Sequence, residues 1–133
     1  GYQAAVLSLL FKQVFTIELN QELARNAERV FAELGLQNIH SKQGDGSCGW
    51  EEFAPYQAIL VTAASPRPPQ PLLDQLADDG RLVIPVGSKP GQTLQTWTTR
   101  QGFFHCTYSI PVVFVPLRGK YGWSEVDWEW YDS

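Results

Sequence analysis

The chain has 133 residues, of which 44% are hydrophobic and 18% charged, with a formal net charge of −4 at pH 7. These totals describe one globular domain with material for a core, and they exclude a disordered chain. The acidic balance argues against nucleic acid or an anionic membrane as partner, and no apolar run is long enough to cross a bilayer.

The opening residues Gly1 to Leu10 carry Tyr2, Ala5, Val6, Leu9 and Leu10 at roughly helical spacing, which predicts a helix beginning almost at the terminus. They do not read as a signal peptide. Gln13–Glu18 (QVFTIE) reads as a short buried strand. Asn20 is a suitable cap for a helix through Leu34, with Leu23, Ala27, Val30, Phe31 and Leu34 as its stripe and Gly35 closing it. Asn38–Lys42 is predicted as a half-polar edge strand. Ala58–Thr62 is a near-continuous apolar run, as expected of a strand buried on both faces by helices. Pro71 opens a short helix with Leu72, Leu73 and Leu76 inward and Gly80 as its stop, and Arg81–Gly87 is a further buried strand.

This alternation predicts an α/β fold with a mostly parallel sheet covered by helices. From Gln92 the rhythm becomes that of a hairpin, turning at Arg100-Gln101-Gly102 and pairing back over Phe103–Ile110. Val112–Leu117 is predicted as a last apolar strand, and the acidic, aromatic tail 124–133 shows no period.

The stretch GDGSCGWEEFAPYQAILVTAA, residues 44–64, reads as the ligand-binding edge of this sheet. In Gly44-Asp45-Gly46 two glycines flank one carboxylate, so backbone can approach a ligand closely with the acid at the tip. The small residues Thr62, Ala63 and Ala64 follow a central strand, where an open α/β sheet leaves room for a ligand. Glu18 ends the first strand, where an acid either accepts hydrogen bonds from ribose hydroxyls or simply sits solvated before a helix N-terminus. Asp45 is open to two readings as well, an acceptor for an adenine amino group or an ordinary Asx-turn. Both acids follow parallel strands, so both are expected on one edge of the sheet.

Little else in the chain suggests chemistry. Cys48 and Cys106 lack CxxC spacing and His40 and His105 are the only histidines, so neither a metal site nor a disulfide framework is expected. A reducing, cytoplasmic setting fits such cysteine usage. Cys48 reads as a small, partly buried thiol and His105 as an edge histidine; Trp97, Trp128 and Trp130 are expected to pack in the core or at its rim.

In order, the segments GYQAAVL, VFTIE, NIH, GDGSCGW, APYQAILVTAASP, LLDQL, GRLVIPVG and VPLRGKYGW closely resemble the protein-L-isoaspartate O-methyltransferases, over nearly the whole chain to Trp123. The resemblance implies a Rossmann-like methyltransferase sheet and a monomeric repair enzyme. Such an enzyme methylates the α-carboxyl of isoaspartyl residues in damaged proteins, with S-adenosylmethionine as donor. By the family's pattern Gly1 is the last glycine of the cofactor loop, Glu18 and Leu19 meet the ribose, and Asp45 and Gly46 meet the adenine. Thr62, Ala63 and Ala64 lie beneath the methionine end, Ala63 and Ala64 reaching the substrate. Phe114, Val115 and Pro116 run along the substrate peptide, and Arg118 to Trp123 fold towards the cofactor.

The family also places a central strand, a glycine-rich loop and the segment that positions the substrate carboxylate before GYQ. That strand would lie between Val14–Glu18 and Ala58–Thr62, so 1–133 is expected to be one partial methyltransferase domain, weak or inactive alone and prone to self-association, with no catalytic residue of its own. Gln57 replaces the family's usual Asp. A nicotinamide-dependent oxidoreductase would also use Glu18 on a ribose, but it has no need of GDG or VPLRGKYGW. A non-catalytic interaction module remains the other class.

Overall fold

The computed structural model describes residues 1–130, and the last three residues of the expected tail lie outside the described residues. It divides into two compact units, Gly1–Gly46 and the chain from Ser47 onward.

The first unit is built from α1 (Tyr2–Ser8), β1 (Val14–Glu18), α2 (Gln21–Glu33) and β2 (Ile39–Gln43). β1 and β2 pair in parallel with Val14 opposite Ile39 and Glu18 opposite Gln43. The Asn20 side chain accepts from the Leu23 N–H at 3.0 Å, capping α2, and Gly35 follows the helix at φ +70°. Both features agree with the sequence reading.

The expected apolar stripes are shifted. α2 buries Ala24 and Phe31 while Leu23, Val30 and Leu34 stay exposed. α1 buries Ala4 and Ser8 while Tyr2, Leu9 and Leu10 stay exposed. Two strands side by side are about 5 Å apart, half the width of a helix with its side chains, so each helix can cover only one narrow strip. Ala4, Val14 and Phe31, with Ala5, Leu7, Ala27, Leu36 and Ile39 around them, form this unit's core.

The second unit holds β3 (Tyr56–Leu60), α3 (Gln70–Asp74), β4 (Leu76–Ser88), β5 (Gly91–Arg100), β6 (Phe103–Val112) and α4 (Glu125–Trp130). Its sheet has the order β3-β4-β5-β6, with β3 parallel to β4 and the rest antiparallel. The α/β class and the terminal hairpin are as expected, while the expected mostly parallel sheet is mixed: β1–β2 and β3–β4 are parallel and the hairpin strands antiparallel. Leu72, Leu73, Leu76, Leu82 and Ile84 form the core, with Ile59, Val61, Val86 and Trp97 against it. Trp128 is buried and meets Trp123 edge-on at 5.7 Å; the expectation for Trp130 concerns a side chain outside those described.

Four expectations are corrected here. The Ala58–Thr62 run is a strand from Tyr56 to Leu60, and it is not buried on both faces: Ala58 and Leu60 are exposed. β3 ends its sheet, with a neighbour on the β4 side alone. Gly80 does not stop α3, which ends at Asp74; it lies inside β4. There the register slips between Tyr56 and Ala58, and a Cβ on Gly80 would stand 2.7 Å from the Ala77 carbonyl oxygen and 2.9 Å from that of Tyr56. This glycine permits a bulge, which the sequence pattern alone reads as a helix stop.

Val112–Leu117 is not a strand of its own. β6 runs on to Val112, and beyond it only Pro116 bridges to Ala64. Proline at 116 removes one ladder donor from the stretch. Finally, the tail does contain a helix, α4. Ser124 Oγ accepts from the Asp127 N–H at 3.1 Å and donates to its carboxylate at 2.7 Å, a reciprocal cap that a search for apolar periodicity misses.

Candidate active site

In the first unit the predicted acids do share one sheet edge. Parallel pairing ends with Glu18 opposite Gln43, so the turns after β1 and β2 leave from the same side. The Gly44 N–H donates to the Glu18 carbonyl at 2.9 Å, and the Gln43 side-chain amide donates to the Leu19 carbonyl at 2.8 Å. The two turns are therefore tied to each other by backbone groups and one side chain.

Glu18 accepts from the Asn20 N–H at 3.1 Å through one carboxylate oxygen. The other oxygen has no partner among the described residues. Leu19 is half exposed beside it, Asp45 is half-buried, and Gly46 packs towards Ile17. Gly1 precedes α1, and a Cβ there would stand 3.0 Å from that of Ala27, so a glycine lets α1 start close against α2.

In the second unit Thr62 is exposed and Ala63 half-buried just past β3. Ala64 is fully buried, and both its backbone groups are used: its N–H donates to Val115 at 2.7 Å and its carbonyl accepts from Leu117 at 2.7 Å. It therefore fixes the segment Val115–Leu117. The Phe114 N–H donates to Gln92 Oε1 at 2.7 Å, and Val115 projects outward.

The following loop is closed on itself. The Trp123 N–H donates to the Leu117 carbonyl at 2.8 Å, and the Arg118 guanidinium donates to the Trp123 carbonyl at 3.3 Å. Two outside anchors hold it, Tyr121 N–H to Ser47 Oγ and the Trp123 indole N–H to the Gly87 carbonyl, each at 3.1 Å. Arg118 is thus half-buried and tethered within its loop.

Sequence reasoning missed the residues that hold these segments in place. Gln75 is buried; its side chain accepts from the Trp50 N–H at 2.9 Å and donates to the Cys48 carbonyl at 3.1 Å, while its own carbonyl accepts from the Tyr56 N–H. Gln92 does the same work at Phe114. Buried amides are rare unless bonded on both sides, but a glutamine shows in a sequence only as a polar residue. The Tyr56 hydroxyl donates to the Trp50 carbonyl, and burial first, then the nearby Glu52, raises its pKa above 10.0.

Neither cysteine is disulfide-bonded, and burial raises the Cys106 thiol pKa. His105 lies on β6, the last strand of its sheet, as expected. Among the described residues no three of His, Cys, Asp and Glu gather as metal ligands, and no helix is long and apolar enough to cross a membrane. An open depression lined by Glu51, Ala54, Pro55, Pro71, Asp74 and Gln75 contains none of the predicted site residues.

The model of the family described as protein-L-isoaspartate(D-aspartate) O-methyltransferase matches residues 1–122. Among curated proteins, the protein-L-isoaspartate O-methyltransferase of Desulfotalea psychrophila is 53% identical over 92% of this chain and 58% of its own length. That of Dictyoglomus turgidum is 47% identical over 94% of this chain and 57% of its own. The chain thus spans little more than half the length of these relatives. A solved protein-L-isoaspartate O-methyltransferase superposes with a TM-score of 0.85 at 28% identity, over 92% of this chain and 40% of that one. A structure from Plasmodium falciparum, described with that activity and in complex with S-adenosyl-L-homocysteine, shares the fold with a TM-score of 0.70 at 24% identity, over 80% of this chain and 52% of that one. A match of this extent to the family, with identities near one half, makes the chain a member of the protein-L-isoaspartate(D-aspartate) O-methyltransferase family.

Proposed function

We propose that this chain serves a methyltransferase that uses S-adenosylmethionine to methylate the α-carboxyl of L-isoaspartyl residues in damaged proteins, within the cytoplasm. The observation that carries the proposal is the pair of acid-bearing turns on one sheet edge, joined by the Gly44 N–H to the Glu18 carbonyl, in a chain matched by the family over residues 1–122.

The residues present suit such a cofactor. Glu18 keeps one carboxylate oxygen unpartnered among the described residues, an acceptor for a ribose hydroxyl, and Leu19 offers apolar surface beside it. Asp45 and Gly46 stand on the next turn for the adenine. Gly1, Thr62 and Arg118 are further cofactor contacts in this proposal, and Ala63, Ala64, Phe114, Val115 and Pro116 seat the substrate. Two thiols without a disulfide suit a reducing compartment.

Bound S-adenosylmethionine supplies a methyl group already activated by its sulfonium. The substrate carboxylate is ionised at neutral pH, its reference pKa being about 4, so no strong base is required of the chain. What the chain's residues do is hold and orient. Glu18 and Asp45 fix polar groups by hydrogen bonds, and the mounted backbone of Phe114–Leu117 offers a rail to an extended peptide.

The test joins this chain to the part of the Desulfotalea relative that its match leaves uncovered. The chimera should transfer methyl groups to an isoaspartyl peptide and not to its normal aspartyl twin. Equal transfer to both peptides would refute the substrate class.

A further inference from the structure

We propose that Gln92 is a positioning residue for peptide recognition, the side chain that sets the rail Phe114–Leu117 at its N-terminal end. This rests on the proposed reading of that segment as the substrate seat. Gln92 is only 4% exposed, and its amide bonds on both sides: Nε2 donates to the Ser88 carbonyl at 2.6 Å and Oε1 accepts from the Phe114 N–H at 2.7 Å. The orientation follows from the partners. A flipped amide would face its NH2 to the Phe114 N–H and its oxygen to the Ser88 carbonyl, two repulsive pairs in a buried place.

The mount is itself held rigidly. Gln92 pairs with Gly87 across the tight β4–β5 turn, and Gly87 takes φ +146°. A Cβ on Gly87 would stand 2.6 Å from the Gly91 carbonyl oxygen and 2.8 Å from the Gln92 Cα. The close approach that seats Gln92 thus requires glycine. The Gly87 carbonyl also receives the Trp123 indole N–H, so one turn anchors both the rail and the loop after it.

The bond to Gln92 has a consequence for recognition. Ala64 uses the Val115 carbonyl and the Leu117 N–H, leaving residues 114 and 116 to face the opposite edge. On that edge Gln92 consumes the Phe114 N–H and Pro116 has none, whereas the carbonyls of Phe114 and Pro116 have no partner among the described residues. Gln92 therefore leaves an edge of acceptors, two residues apart, matched to the N–H groups of an extended peptide.

Two variants test this, Gln92→Leu and Gln92→Glu. Leu removes both bonds at similar volume; Glu keeps an acceptor for Phe114 and, in the neutral form that burial favours, an O–H donor for the Ser88 carbonyl. In this chain, amide exchange of Phe114 should accelerate at least tenfold in Gln92→Leu and change little in Gln92→Glu. In the chimera, KM for the isoaspartyl peptide should rise about tenfold in Gln92→Leu, with the affinity for S-adenosylhomocysteine unchanged, and Gln92→Glu should restore KM to within about threefold. Unchanged Phe114 exchange, an unchanged KM, or equal losses of peptide and cofactor binding in Gln92→Leu would each overturn the inference. If Gln92→Leu does not fold, Gln92→Glu decides: loss of Phe114 protection there overturns it, and retained protection with a near-normal KM supports it. The underlying reading fails separately, if the unsubstituted chimera binds the peptide and leaves the amides of 114, 115 and 117 unshifted.

Discussion

Gly122 is the position where a single methyl group should do the most local damage. Its Cβ would stand 2.7 Å from the Leu117 carbonyl carbon and nearer still to the oxygen, where ordinary contact begins at 3.4 Å. The oxygen contact is the tighter one, so the two backbone segments must part by more than about 1 Å. The bond from the Trp123 N–H to the Leu117 carbonyl, now 2.8 Å, would stretch beyond about 3.5 Å and cease to count as a hydrogen bond. Loss of that bond is worth about 0.5–1.5 kcal/mol, and overpacking adds about 1–3 kcal/mol. Gly122→Ala should therefore cost roughly 2–4 kcal/mol, measured by urea unfolding, with faster amide exchange at Trp123. Gly91→Ala is the matched control: nothing lies within 4 Å of its Cβ and its φ is not left-handed, so it should be neutral or stabilise by up to about 1 kcal/mol. If Gly122→Ala costs under about 0.5 kcal/mol and Trp123 keeps its protection, the closed-loop geometry is wrong.

Ile84→Ala, at a fully buried site, should cost about 2–5 kcal/mol in denaturant unfolding, while Leu60→Ala, at a 43% exposed position on β3, should cost well under half as much. Tyr56 has a raised pKa, so its neutral phenol favours the folded state. That contribution is complete below pH 10 and is lost as pH rises from there through the folded pKa. Thermal stability should fall over this alkaline window, and the part of the slope due to Tyr56 should vanish in Tyr56→Phe. In the chimera, Asp45→Ala should weaken cofactor binding by about 1–3 kcal/mol by calorimetry, the cost of leaving a donor unpaired; an unchanged Kd would return Asp45 to a turn-forming role.

The sequence showed most clearly where local chemistry and tertiary need coincide. Asn20 before an apolar stripe, Gly35 after it and the Arg100-Gln101-Gly102 turn all appear where their backbone preferences put them. Glu18 and Asp45 reach one sheet edge because parallel pairing forces it. Burial was misread where it depends on neighbours: Ala58–Leu60 has the composition of a central strand but ends its sheet. Gly80 was misread because a helix stop and a strand bulge use the same residue for the same reason, freedom from a Cβ. Gln75 and Gln92 were invisible since only the fold supplies their carbonyl and N–H partners.

The central claim, that the two acid-bearing turns take the adenosine and the rail takes the peptide, is most directly tested by residue-resolved amide shifts in the chimera. S-adenosylhomocysteine should shift residues 18–20 and 44–46, and an isoaspartyl peptide added afterwards should shift 114, 115 and 117. Cofactor-induced shifts that miss both turns, or a peptide footprint confined to other segments, would contradict the account.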